Sequence, residues 1–345
     1  MRASLLVVSA VVVASVSVAA QTSGQTAGQA AGVKPAPQKS GKAFTPPKTP
    51  WGDPDISGNV TNVFEASTPF ERPEDFAGRR LEEVQGDELA NFRGELQKRT
   101  LANFEGPLHG PDSWWQNIYD LRKGGQAWFV VDPPDGRIPP MTPEAQQRPR
   151  SQGAGGSYAP GEFWESASDF NLYDRCITRG LPGSMMPAIY GNSYRIVQSP
   201  GQVAIQYEMI HETRVIPLDG RPHVSKNIRL DMGDARGHWE GNTLVVETTN
   251  FTQRSAYRGA SAERLKLVER FTRVAPDKIS WTMTVEDPTT WTRPWSFGMP
   301  LTILDSEQMQ PYECHEGNYG LINMLEIARA ADKKAAKPAA SAAGR

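Results

Sequence analysis

Residues 194–216 read YRIVQSPGQVAIQYEMIHETRVI. β-Branched and aromatic residues dominate both halves, and Pro200-Gly201 between them supplies a turn, so the stretch predicts antiparallel strands over 194–199 and 202–216. The pattern continues downstream. TLVVETTNF (243–251) follows HWEGN, where Gly241-Asn242 is a two-residue hairpin candidate. LKLVERFTRV (265–274) and KISWTMTVED (278–287) flank Ala275-Pro276-Asp277, and FGMPLTIL (297–304) and MQPYEC (309–314) complete the series. No helical crossover separates these runs. A meander of about eight strands removes its exposed edges most simply by closing on itself. The predicted fold is mainly β: a lipocalin-like antiparallel meander barrel over 190–327, with a twisted open sheet or sandwich as the alternative.

Upstream, over 51–189, the character changes. Proline and glycine recur in WGDPDISGN (51–59), EGPLHGPDSWW (105–115), VDPPDGRIPP (131–140) and SQGAGGSYAPGEF (151–163), which excludes long regular elements there. The exception is ELANFRGELQKRTLA (88–102). Asp87 is placed to cap this helix, and Leu89, Phe92 and Leu96 form its apolar stripe. The region therefore predicts an irregular extension with one helix, packed on the barrel.

Compartment is read from the first residues. Arg2 precedes an apolar run from Leu5 to Val18 that ends in Val18-Ala19-Ala20, the pattern of a cleavable signal peptide cut after Ala20. The expected location is periplasmic or secreted, with a flexible leader over 21–50 and a flexible tail over 328–345. No later stretch approaches the roughly 20 apolar residues of a membrane span. Export gives Cys176 and Cys314, the only two cysteines, a disulfide as their expected state, the alternative being two buried thiols. Charge is balanced at 37 basic against 39 acidic residues, without a basic patch for phosphate backbones, so no nucleic-acid partner is expected.

Candidate chemistry centres on the five histidines. His211-Glu212-Thr213-Arg214-Val215 opens like the HExxH zinc motif, but Val215 stands where the second histidine belongs and Pro217 follows. Read as a strand, the segment puts Tyr207, Met209, His211 and Val215 on the barrel's inner face and sends Glu212 and Arg214 outward. His223 and His238 read as rim or surface residues. His315 and Glu316, in CHEGNYG (314–320) with Asn318, stand where a disulfide at Cys314 would fix them. A turn centred on Pro276-Asp277 sets Arg270 against Met283 on an inner face, unless a bulge shifts the register. Trp291 and Arg293 in DPTTWTRPW (287–295) suit a ring-bearing or acidic ligand. Catalytic candidates are thus His211, His315 and Glu316; substrate-binding candidates are Arg270, Tyr207, Trp291, Arg293 and Asn318. No pair of histidines has ligand spacing, so neither a metal nor an organic cofactor is expected.

The blocks WGDPDISGN, DPPDGRIPPMTPEAQ, DRCITRGLPG, MIHETRVIPLDGRPH, GHWEGNTLVVETTNFT, ERFTRV and CHEGNYG together resemble a widespread family of exported bacterial proteins of unassigned function. The resemblance covers nearly all of 51–325 and implies that extension and barrel form one unit. It brings no catalytic residues with it. GxSxG, P-loop and dinucleotide signatures are missing. Two classes therefore stand: an exported small-molecule enzyme (lyase, isomerase or hydrolase) using His/carboxylate acid–base chemistry in the barrel, or a periplasmic carrier binding a small ligand without chemistry.

Overall fold

In the computed structural model the described residues are 44–104, 120–148, 164–188, 190–304, 306 and 308–336. The predicted signal peptide, most of the leader and the last nine residues lie outside them. The strands are β1 (Gly58–Thr61), β2 (Val130–Asp132), β3 (Ser193–Ser199), β4 (Gln202–Tyr207), β5 (Thr213–Pro217), β6 (Asp234–Glu240), β7 (Thr243–Thr249), β8 (Lys266–Ala275), β9 (Lys278–Glu286) and β10 (Trp295–Ile303). Nine of them form one antiparallel sheet in the order β5-β4-β3-β1-β10-β9-β8-β7-β6, while β2 pairs separately with β10. The sheet curls into a nearly closed barrel. At its seam the terminal strands meet through side chains. Gly237 on β6 permits this approach, because a Cβ there would lie 2.7 Å from Leu218 and 2.8 Å from Ile216.

The meander is not self-sufficient. β1 comes from the N-terminal extension and sits between β3 and β10, with Val60 opposite both Tyr194 and Ile303. Residues 190–327 alone would leave the barrel open on that side. MQPYEC (309–314), expected as a strand, is loop. Three helices accompany the sheet: α1 (Gly86–Phe104), α2 (Pro143–Gln147) and α3 (Tyr319–Ala336). The last runs into the stretch expected to be tail from 328. On α1 the apolar stripe forms, with Leu96 buried and Leu89 and Phe92 half-buried, but its most buried member is Arg93. That guanidinium donates to Leu121 O at 2.6 Å and Thr68 Oγ1 at 2.5 Å and faces Glu65 Oε2 at 3.4 Å. Burial raises the Glu65 pKa against the pull of Arg93, and lowers that of Arg93.

Two local departures from the expected register decide what the barrel contains. The run 202–216 is a hairpin rather than one strand. It reverses through Glu208–Glu212, pairing Gln206 with Thr213 and Ile205 with Arg214. Ile210 and His211 take left-handed backbone angles, φ 65° and 57°. That region is costly for a β-branched residue, which is why nothing in the sequence marks a turn there. Directly opposed residues share a face, so Arg214 follows Ile205 inward while His211, at the tip, is exposed. This corrects the inward placement of His211 and the outward placement of Arg214.

The second departure is a bulge between Arg273 and Ala275. It pairs Glu269 with Met283 and Arg270 with Thr282, one residue away from the simple turn register. Arg270 therefore points outward, where it donates to Glu240 Oε2 at 2.8 Å, and Glu269 takes the interior. By contrast, the Gly241-Asn242 turn forms as read, with His238 opposite Val245.

Inside, the barrel is filled. Trp281, Trp295, Phe271, Phe297, Tyr194 and Tyr207 are among its fully buried side chains. Trp281 and Phe297 meet edge to face at 5.7 Å, and the tilted rings of Trp295 and Phe297 lie 5.5 Å apart. Two concavities lie on the outer wall, around Asn59, Arg195 and Gln206. The strand arrangement is lipocalin-like; the packed interior is not that of a container.

Candidate functional site

Arg214 and Glu269, which the two register shifts turn inward, meet in the interior. One guanidinium nitrogen forms a very short contact with Glu269 Oε2, and the other donates to Oε1 at 3.1 Å. Trp281 Nε1 donates to the same Oε1 at 3.1 Å. Burial is the largest single influence on Arg214 and opposes its charge, but Glu269 and Tyr207 together hold the arginine pKa above its ordinary value. Tyr207 lies beside this pair, and burial raises its pKa strongly. The Tyr207 hydroxyl and Arg214 Nε make no hydrogen bond to the described residues.

Above this layer, the barrel end formed by the start of β3 and the β4–β5 turn is plugged by residues 173–185, through Tyr173 on Met209, Thr178 on Glu212 and Met185 on Tyr194. The disulfide Cys176–Cys314, with Cα atoms 5.7 Å apart, ties this plug to the loop after β10. Asn318 adds a hydrogen bond to Asp174 O at 2.6 Å. His211 joins them, because the Tyr312 N–H donates to His211 Nε2 at 2.7 Å. The acceptor role leaves the ring proton on Nδ1. Three tyrosines gather here. Tyr190 and Tyr312 hydroxyls stand 3.3 Å apart, and Tyr173 Oη donates to Met209 Sδ at 3.6 Å. Burial, then contact with Tyr190 and Tyr173, raises the Tyr312 pKa; burial also raises that of Tyr173, opposed by Arg179. The Arg179 guanidinium lies 5.4 Å from the Tyr173 ring centroid.

One acidic group belongs to the same end. Glu212 Oε2 accepts the Thr178 hydroxyl at 2.6 Å, and Thr178 in turn accepts the Gly180 N–H. Burial raises the Glu212 pKa, with Asp231 adding to the effect and Thr178 and Arg214 opposing it. Such a carboxyl can hold a proton at higher pH than a solvated one.

The predicted site residues are thus only partly assembled. His211, bonded to Tyr312, and Asn318, bonded to Asp174, are both at the plugged end, and His315 and Glu316 are exposed on the loop beyond the disulfide. Tyr207 is interior. Arg270 is on the outer wall, Trp291 is buried against Trp295 at 5.6 Å, and Arg293 is exposed and paired with Asp132 at 3.1 Å. Sequence reasoning passed over Tyr173, Thr178 and Arg179, although DRCITRGLPG, which holds the last two, was singled out as a block, and it sent Glu212 outward, whereas that carboxyl is half-buried against Thr178. It also read His223 as a simple rim residue, whereas Nδ1 faces buried Asp234 at 2.8 Å and Nε2 faces Glu247 at 3.3 Å. Among the described residues no three His, Cys, Asp or Glu side chains are grouped to hold a metal, and no helix is long and apolar enough to cross a membrane.

Fold and site together define a plugged antiparallel barrel with a tyrosine-rich corner fastened by a disulfide. No family model, curated protein or solved structure matches the chain.

Proposed function

We propose that this is an exported protein that binds a small molecule at the plugged end, using the filled barrel as a rigid support. The observation that carries this reading is the corner itself: three tyrosine hydroxyls, His211 Nδ1–H and the half-buried Glu212 carboxyl gather where strained residues and a disulfide fix the backbone. Backbone strain concentrates at sites where position matters, and rigid support is what ligand recognition requires. Amphipathic tyrosines stack on a ring while their hydroxyls remain available for hydrogen bonds. The disulfide agrees with an oxidising compartment.

A second reading, acid–base turnover at the same end, is favoured by Glu212, whose raised pKa suits a proton donor. In that reading Glu212 replaces the His211/carboxylate pair expected from the sequence. The test is a thermal-shift screen of small metabolites on the wild-type protein, followed by titration of the hits against Tyr173→Phe, Tyr312→Phe and Glu212→Gln. Binding weakened at least tenfold by a tyrosine variant supports the site, and hits indifferent to all three variants contradict it. Product formation lost only in Glu212→Gln selects the catalytic reading.

A further inference from the structure

Arg179 is half-buried, yet it makes no ion pair or hydrogen bond to a described residue; its contact is the face of Tyr173. None of its guanidinium nitrogens is among the buried polar atoms left without a partner, so the charge reaches solvent and is open to an anion. The other arginines beneath and beside it are served. Arg214 has Glu269, and Arg254 grips Asp231 through Nε at 3.0 Å and Nη2 at 2.6 Å. Glu212 does not compensate Arg179 either, being bonded to Thr178. The field of Arg179 instead falls on the hydroxyls of Tyr173 and Tyr194.

From this arrangement we infer that the ligand of the plugged end is a small organic acid whose carboxylate pairs with Arg179 and whose ring or chain lies along the Tyr173–Tyr312–Tyr190 cluster. The inference rests on the binding reading above and adds the ligand's charge to it. A planar guanidinium offers two parallel N–H donors to a carboxylate, a geometry that lysine cannot reproduce. The Tyr312 hydroxyl, 3.3 Å from that of Tyr190, supplies a further donor to the bound anion.

The test uses matched acids and amides, such as benzoate with benzamide and succinate with succinamide, titrated calorimetrically into the full disulfide-bonded protein. The expected result is binding of acids at least tenfold tighter than their amides, a loss of tenfold or more in Arg179→Ala, and only partial recovery in Arg179→Lys. Tyr312→Phe, which removes a donor to the anion, should weaken the acid more than its amide. Circular dichroism and melting of each variant separate lost binding from lost fold. Equal binding of acids and amides, unaffected by Arg179→Ala but weakened by Tyr312→Phe, overturns the anion inference and leaves the site standing. Probes that neither bind nor shift the melting temperature overturn both.

Discussion

The buried Arg214–Glu269 pair offers the sharpest quantitative consequence of the register shifts. Glu269→Gln keeps the shape of the side chain but leaves the Arg214 charge without its carboxylate in an interior where the glutamate is fully buried and the arginine nearly so. Removing one partner of a buried pair costs about 3–5 kcal/mol. At about 2–4 °C per kcal/mol for a sizeable domain, melting should fall by roughly 6–20 °C. Arg214→Met should cost a comparable amount, because Glu269 then keeps only Trp281 Nε1 as a donor. The double variant Arg214→Met/Glu269→Leu removes both charges. Its gain from lost desolvation is offset by about 1–3 kcal/mol for the Trp281 N–H left unpaired, so it should be more stable than either single variant. Urea unfolding followed by tryptophan fluorescence gives the cycle, with an expected coupling of about 3 kcal/mol. Additive single effects of under about 1 kcal/mol each, the range of an exposed pair, would refute the interior placement of both residues.

Three further outcomes follow from the same physics. Glu212 has a raised pKa in the folded chain, so its stabilising contribution is complete below its unfolded pKa and is lost as pH rises through the folded value; Glu212→Gln, which keeps an acceptor for Thr178, should melt higher than wild type near neutral pH and match it below about pH 4. Serine at both Cys176 and Cys314 removes a cross-link spanning 138 residues and should lower stability by up to about 5 kcal/mol in non-reducing denaturation. Gly237→Val places a side chain where even a Cβ meets Ile216 and Leu218 at under 3 Å, and the seam should lose about 1–3 kcal/mol by thermal melting.

Much of the barrel is legible in the sequence because most of its turns carry the residues their backbone requires. Pro200-Gly201 makes the turn expected of it, and Gly241-Asn242 sets its hairpin in the register read from it. The site was less legible because parity propagates: one residue of slip exchanges the two faces of a strand completely. At Glu208–Glu212 the left-handed positions are filled by Ile210 and His211, for which no propensity argument prepares the reader, and the extra residue near Val274 is equally silent. Each slip swaps an inward candidate for its neighbour, Glu269 for Arg270 in the second case. β1 escaped notice for another reason. Four residues, GNVT, inside a glycine- and proline-rich segment carry too little periodicity to identify a strand whose partners lie more than 130 positions away. The disulfide, by contrast, needed only the count of cysteines and the expectation of export.

Hydroxyl-radical footprinting of the native protein, read residue by residue by mass spectrometry, tests most directly that the barrel is filled and that its accessible chemistry lies at the plugged end. His211, Tyr190 and Tyr319 should be modified readily, and Tyr194, Tyr207, Trp281 and Trp295 should stay protected until the chain unfolds. Native-state labelling of Tyr207 and Trp281 at the rate of Tyr319, with His211 protected, would mean a solvent-filled barrel with the histidine inside and would contradict the account.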